Sequence, residues 1–174
     1  MSLEAQIWRE VSRNAELEEA LSRMIDLFEE LLPIEMIVLR RYERELQRFN
    51  TVAIGRASEC LVPARVGAKS ELLGRCLSAA EAFFASREAM PSHALAPALA
   101  RVLIPEGLAA SLMGSLLIGP LKAHGEPVGV VVIALGRRAR PNQEAAQLLS
   151  YTLAPLGVAL KNAQRVQELA RIKE

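Results

Sequence analysis

Little in this sequence is extreme, and each shortage excludes something. Two cysteines, Cys60 and Cys76, among 174 residues cannot build a disulfide scaffold or, by themselves, a four-ligand zinc site. Histidine is as rare, and neither His93 nor His124 has a ligand partner one helical turn on, so no metal site is expected. The charges nearly cancel: 21 Lys plus Arg against 20 Asp plus Glu leave +1. A dedicated nucleic-acid binder gathers a basic excess on one face, and none is here. The longest apolar run, Val128 to Leu135, has eight residues, far short of the ~18–20 that span a bilayer. No basic stretch followed by an apolar one opens the chain, so no secretory signal is read. Neither a Gly-x-Gly-x-x-Gly turn nor a Gly-rich loop ending in Gly-Lys-Ser/Thr occurs, which removes the usual phosphate cradles. Nucleophilic hydrolases set a serine on a strained strand-to-helix elbow, whereas Ser115 opens a strand. What is present is 51% apolar and 24% charged residues, enough for one core in one ordinary domain spanning 1–174. Composition thus predicts a soluble, cytoplasmic domain and excludes disorder. It assigns no activity.

The pattern along the chain is more informative. From about Glu4 to Leu32 no Gly or Pro interrupts, and Pro33 closes the segment. This predicts one N-terminal helix over about 4–32, ~43 Å long at 1.5 Å per residue. Leu17, Leu21, Met24, Phe28 and Leu31 follow a 4-3-4-3 spacing, and Ile7, Val11, Leu21, Ile25 and Leu32 form a second stripe. Two stripes suit a helix with one face on a core and one on a partner. Met36 to Tyr42 and Leu46 to Ile54, rich in β-branched and aromatic residues, predict an antiparallel hairpin. Leu61 to Val66 reads as an edge strand because Pro63 removes a ladder donor. Ser70 reads as the N-cap of a short helix from Glu71 to about Ser78, and Ala82 to Ala85 as a brief strand. Proline-rich Met90 to Leu108 reads as short turns in a long connection. Ser115 to Lys122 and Val128 to Leu135 form the clearest strand pair, joined through Gly125. The second of these is apolar on both faces and therefore central. A second long helix is expected over about 142–174, with Ala146, Leu149, Leu153, Leu156, Leu160 and Ala163 as its stripe. Pro155 is expected to bend it. It reaches the last residue without a cap, as expected of a segment that continues.

This order of elements resembles that of a GAF domain, and several motifs resemble it more closely. Leu73-Gly-Arg-Cys-Leu77 is similar to the family's Leu-Leu-Gly-x-x-Leu helix. Gly119-Pro-Leu-Lys122, followed by Gly125-Glu-Pro-Val-Gly-Val-Val-Val-Ile133, is similar to its typical strand pair. Leu153-Ala-Pro-Leu-Gly-Val-Ala-Leu-Lys-Asn-Ala163 resembles its final helix. Pro155 and the ending from Glu168 resemble the sensory GAF domains of sigma-54-dependent transcriptional activators. The resemblance implies an α+β fold: a six-stranded antiparallel sheet, long terminal helices on one face, and short helices and loops over the other. It also implies a ligand pocket under Gly67 to Leu108, homodimerisation, no catalysis, and a downstream effector module beyond this chain. The cyclic-nucleotide pattern of the family is missing, and no Cys-His pair marks bilin attachment. With aromatic residues at 4%, few rings are placed to stack a planar chromophore, and no cofactor is expected.

Two readings from different classes follow. One is a small-molecule sensor in a signalling or transcriptional regulator, passing ligand state through its C-terminal helix and dimer interface. The other is a module kept only for dimerisation or partner docking. A third, enzymatic branch, the free methionine sulfoxide reductases, uses three cysteines where this chain has two. Near the expected pocket the polar side chains are Arg75, Ser86, Arg87, His93 and Arg101. Arginine forks suit a small anion, although each arginine alone also suits a solvated surface. Leu17, Leu21, Met24 and Phe28, with Leu149, Leu153, Leu156 and Leu160, are expected to seam a parallel homodimer. Cys60 and Cys76 read as buried, inert thiols.

Overall fold

A computed structural model describes residues 2–13, 16–58, 66–72, 74–108, 116–136 and 139–173 of the chain. Two short helices, α1 (Leu3–Arg13) and α2 (Leu17–Phe28), precede the hairpin β1 (Ile34–Glu43) and β2 (Arg48–Arg56). A run of small elements follows: β3 (Lys69–Glu71), a 3₁₀ turn at Gly74–Cys76, α3 (Leu77–Ala85), β4 (Met90–Pro91), a second 3₁₀ turn at Ser92–Ala94, and α4 (Pro97–Leu103). The hairpin β5 (Leu116–Ala123) and β6 (Glu126–Leu135) then leads to α5 (Gln143–Ser150) and α6 (Leu153–Lys173). The strands form one six-stranded sheet in the order β3-β2-β1-β6-β5-β4, antiparallel throughout. This is the expected α+β architecture.

The sheet has a core on each face, so its central strands are apolar on both sides. Ile37 and Leu39 of β1, with Val131 and Ile133 of β6, point to α1, α2, α5 and α6. Met36 and Val38, with Val130 and Val132, point to the far face, where α3 and α4 lie. His124 and Gly125 make the β5–β6 turn, with φ of 54° and 80°. That pair of left-handed residues is the two-residue hairpin geometry that matches strand twist. α6 lies close on the sheet because Gly157 has no Cβ, which would otherwise meet the Lys122 carbonyl.

Several local expectations are corrected. The N-terminal helix is two helices, because Glu16 is extended (φ −104°, ψ 130°) and starts α2 anew. Two packed helices let Ile7 and Val11 fold back onto the same core as Leu21 and Phe28. Ser70 is not an N-cap: it lies in β3, paired with Phe49. Ala82 to Ala85 is the end of α3 and not a strand, with Phe83 and Phe84 on its buried side. The C-terminal segment is also two helices, broken at Tyr151–Thr152. Pro155 therefore sits in the first turn of α6, where its missing N–H is one of the unpaired ones, and it does not bend the helix. The strand expected at 61–66 falls, apart from Val66, outside the described residues, as do Cys60, Leu73 and Ser115.

The expected dimer seam is corrected as well. Leu21, Met24, Phe28, Leu149, Leu153, Leu156 and Leu160 are enclosed in the protomer's own helix-face core, and Leu17 is partly buried against it. A side chain already enclosed there has no surface left for a second chain. The apolar side chains exposed on α6 are Val158, Val166, Leu169 and Ile172.

Candidate functional site

The far face centres on a residue the sequence reading passed over. Strand alternation puts Arg40 on the same side of β1 as Met36 and Val38, and it is fully buried. A register shift at Leu39/Arg40 against β2 sets it beside Thr51. Its Nε donates to Thr51 Oγ1 (3.2 Å). Nη1 donates to the carbonyls of Val102 (2.7 Å) and Leu103 (2.9 Å). Nη2 donates to Ser70 Oγ (2.8 Å) and the Ala68 carbonyl (3.4 Å). These contacts use all five N–H groups of the guanidinium. The two helix carbonyls are end groups of α4 without intrahelical partners, so the arginine closes that helix. Ion pairs form at Arg23, Arg44 and Arg48, and among the described residues Arg40 has no carboxylate partner. Arg40 therefore carries a buried charge with only neutral acceptors. Burial lowers its pKa to about 10, so it stays protonated at neutral pH.

The hydroxyls around it are polarised in one direction. Ser70 Oγ accepts from Arg40 and donates to the Val102 carbonyl at 2.6 Å. Thr51 Oγ1 accepts from Arg40 and donates to the Gly67 carbonyl at 3.0 Å. Beside this polar cluster the far face is filled with rings. Tyr42 stacks on Phe49 (4.8 Å) and Phe84 (5.4 Å), and Phe83 meets Phe84 edge-on.

The five side chains expected to bind a ligand lie mostly at the surface. Arg75, Arg87, His93 and Arg101 are exposed, and Ser86 closes a local turn on Glu88. Exposed arginine heads stay solvated because burying a cation without strong partners is costly. Arg40 could have been found from period-2 alternation: it follows Met36-Ile-Val-Leu39 in phase with Met36 and Val38. The pair Arg40-Arg41 instead reads as the polar end of a strand. Arg41 does face the other way, donating from Nη1 to Gln167 Oε1 of α6 at 3.3 Å.

The segment that covers the far face crosses the sheet edge at Ala89, whose side chain packs in the helix-face core. The backbone N–H of Ala89, just before β4, donates to Ser150 Oγ at 2.9 Å, and that hydroxyl donates to the Ala146 carbonyl. The far-face segment is thereby tied to the corner between α5 and α6. On the helix side, Trp8, Val11, Leu17, Val158, Asn162 and Val166 line an open groove of about 350 Å³ between α1, α2 and α6. Cys76 is a buried free thiol. Among the described residues no helix is long and apolar enough to cross a membrane.

No protein-family model matches the chain, and the curated proteins give no match. Solved structures do. The phycocyanobilin-bound GAF domain of a cyanobacterial phytochrome superposes with a TM-score of 0.58 at 14% identity, covering 97% of this chain and 98% of that one. The GAF domain of a two-component sensor histidine kinase from Bacillus halodurans gives 0.57 at 14% identity, with 88% and 99% covered. Free methionine-R-sulfoxide reductase from Neisseria meningitidis, in complex with its substrate, gives 0.57 at 14% identity, with 94% and 89% covered. The chain has the fold of GAF domains over nearly its whole length.

Proposed function

We propose that this chain is a regulatory GAF module that senses a small molecule on the far face and reports it through α6. The carrying observation is the Ala89–Ser150 hydrogen bond, which joins the segment covering the far face to the corner from which α6 departs. A ligand that binds two arrangements of that segment with different affinity shifts their populations, and the corner shifts with them. Signalling neighbours with the same fold, a phytochrome and a sensor kinase, support a regulatory role. The finer reading, the sensory domain of a sigma-54-type transcriptional activator in the cytoplasm with an effector module after α6, rests on the motif resemblance. The module is non-catalytic in this reading.

It works as a homodimer of α6 and α1. Val166 and Leu169, with Asn162 before them, keep the 4-3 spacing of a coiled-coil seam on the exposed half of α6. Sedimentation of the double variant Val166→Glu/Leu169→Glu tests this. Dissociation should weaken at least tenfold without loss of the fold, and a wild-type monomer at tens of micromolar, on the order of ordinary homodimer affinities, would refute it.

The docking-module reading is favoured by one observation: Tyr42, Phe49, Phe83 and Phe84 already fill the centre of the far face. Amide exchange of the full chain, with and without a hit from a thermal-shift screen of small acids, separates the two. Sensing requires that protection change both in residues 86–104 and in α6 beyond Ala163. A change confined to the far face leaves docking as the function.

A further inference from the structure

We propose that the Arg40 cluster is a closed oxyanion site. A carboxylate or phosphate group takes the place now held by the end carbonyls of α4, with Arg40, Ser70 and Thr51 as its donors. This deepens the sensing reading and rests on it. Arg40 stands on β1, in the middle of the sheet, and is held by paired strands on both sides. Of its present acceptors, Thr51 stands on internal β2, but Ser70 stands on β3, of three residues, and the carbonyls of Val102 and Leu103 on α4, of seven. β3 is an edge strand. The cation is therefore fixed on a central strand, while three of the five groups that satisfy it sit on short elements, one an edge strand and one a seven-residue helix held by Leu99, Val102 and Leu103.

The chemistry favours exchange. Carbonyl and hydroxyl oxygens satisfy every N–H of Arg40, but no carboxylate among the described residues compensates its charge. An oxyanion meets the same fork in bidentate geometry and supplies the missing charge, and such charge-assisted bonds are about twice as strong as neutral ones. Ser70 and Thr51 now donate to the Val102 and Gly67 carbonyls. Once those carbonyls withdraw, both hydroxyls turn their protons to the anion. The displaced α4 carbonyls move to solvent beside exposed Arg101 and Glu106, where water satisfies them. Ligand entry and movement of α4 are then one event.

The test uses the full chain with ¹⁵N-labelled arginine, reading the Nε–H signal of Arg40 by NMR alongside the melting temperature. Inorganic phosphate and acetate are titrated separately against chloride at equal ionic strength. The expected result is a saturable shift of the Arg40 signal with at least one anion. At a hundredfold excess over Kd the melting temperature should rise by about 5–10 °C. Whichever anion acts names the ligand class. Ser70→Ala and Thr51→Val, which keep the arginine, should each weaken binding by roughly tenfold. An Arg40 signal that neither anion moves beyond the chloride control, up to about 100 mM, overturns the site. Binding at Arg40 with α6 exchange unchanged keeps the site and removes the sensing reading. An α6 response to another small acid, with Arg40 unmoved, keeps the reading and removes the site.

Discussion

On the helix face the sheet is covered by α1, α2, α5 and α6, through contacts that are almost wholly apolar. On the far face it is covered by short strands and turns, α3 and α4, with a buried guanidinium inside their seam. Apolar burial is non-directional: a Leu or Phe that shifts slightly keeps most of its contacts. A hydrogen-bonded cation is directional, and leaving its partners unmatched is costly. The helix face is thus built to stay shut under small displacements. The far face has an apolar core of its own with one directional, polar cluster set into it. That contrast is what a domain needs if one side is to respond while the other holds the fold.

The largest effect should come from the helix face. Leu156, almost fully buried where α6 lies on the sheet, should cost about 2–5 kcal/mol when cut to Ala, by lost transfer energy plus the cavity left behind. Urea denaturation should show a lower midpoint with unchanged slope, because the whole unit loses stability together. A separate early transition confined to α6 would break the comparison.

Arg40→Met comes next, at roughly 2–4 kcal/mol, since two buried and three part-buried acceptors lose their donor while the desolvation cost of the charge is removed. Its signature should be local. Exchange should rise at the amides of Thr51, Gly67, Ala100 and Ile104, whose bonds hold the cluster together, while the centre of β6 stays protected. The pH dependence follows from the sign of the shift. Burial lowers the arginine from its ordinary value to about 10, so above that pH the unfolded chain binds more protons and stability linked to Arg40 rises with pH. Between pH 5 and 9 both states are charged, and the difference between wild type and Arg40→Met should be flat. A slope there points to another group.

The same contrast explains what the sequence made legible. Strand periodicity and the hairpin at His124–Gly125 depend on local pattern and turn chemistry, and these placed all four long strands, β1, β2, β5 and β6. The helix stripes gave the core-facing residues but the wrong partner: Leu21, Met24 and Phe28 meet the sheet of their own chain. No local signal marks the break at Glu16, which comes from α1 folding back onto α2. The far face was least legible because its order comes from contacts distant in sequence. Ser70 looks like a helix cap until its neighbour 32 residues on, Val102, is known. Arg75, Ser86, Arg87, His93 and Arg101 were chosen for nearness along the chain to an expected pocket. The buried cation lay on a strand outside that window.

Ser150→Ala tests the link between the faces. The hydroxyl satisfies the Ala89 amide, so its loss should cost about 1 kcal/mol. In the presence of a bound ligand the far face should still gain protection while α6 no longer follows. If α6 still responds, the link runs elsewhere, with Arg41 and Gln167 the next pair to remove.

The smallest effect is expected at Pro155, and it bears on where α6 turns. A proline in the interior of a helix costs ~3 kcal/mol and kinks it, so a hinge at this residue would straighten and stiffen on replacement. The first backbone bond of α6 runs instead from the Leu156 N–H to the Thr152 carbonyl, which leaves residue 155 without a helical partner whatever its side chain. The turn lies one step earlier, where Thr152 Oγ1 donates to the Leu149 carbonyl at 2.7 Å as α5 ends. Pro155→Ala should therefore lower stability by no more than about 0.4–1 kcal/mol, through greater freedom of the unfolded chain. Exchange protection from Leu156 to Leu160 should stay as it is. Thr152→Val, which removes the buried hydroxyl at the corner itself, should disturb the same amides more than Pro155→Ala does. The reverse ranking would move the pivot onto the proline and make α6, not the corner before it, the part of the helix face that yields.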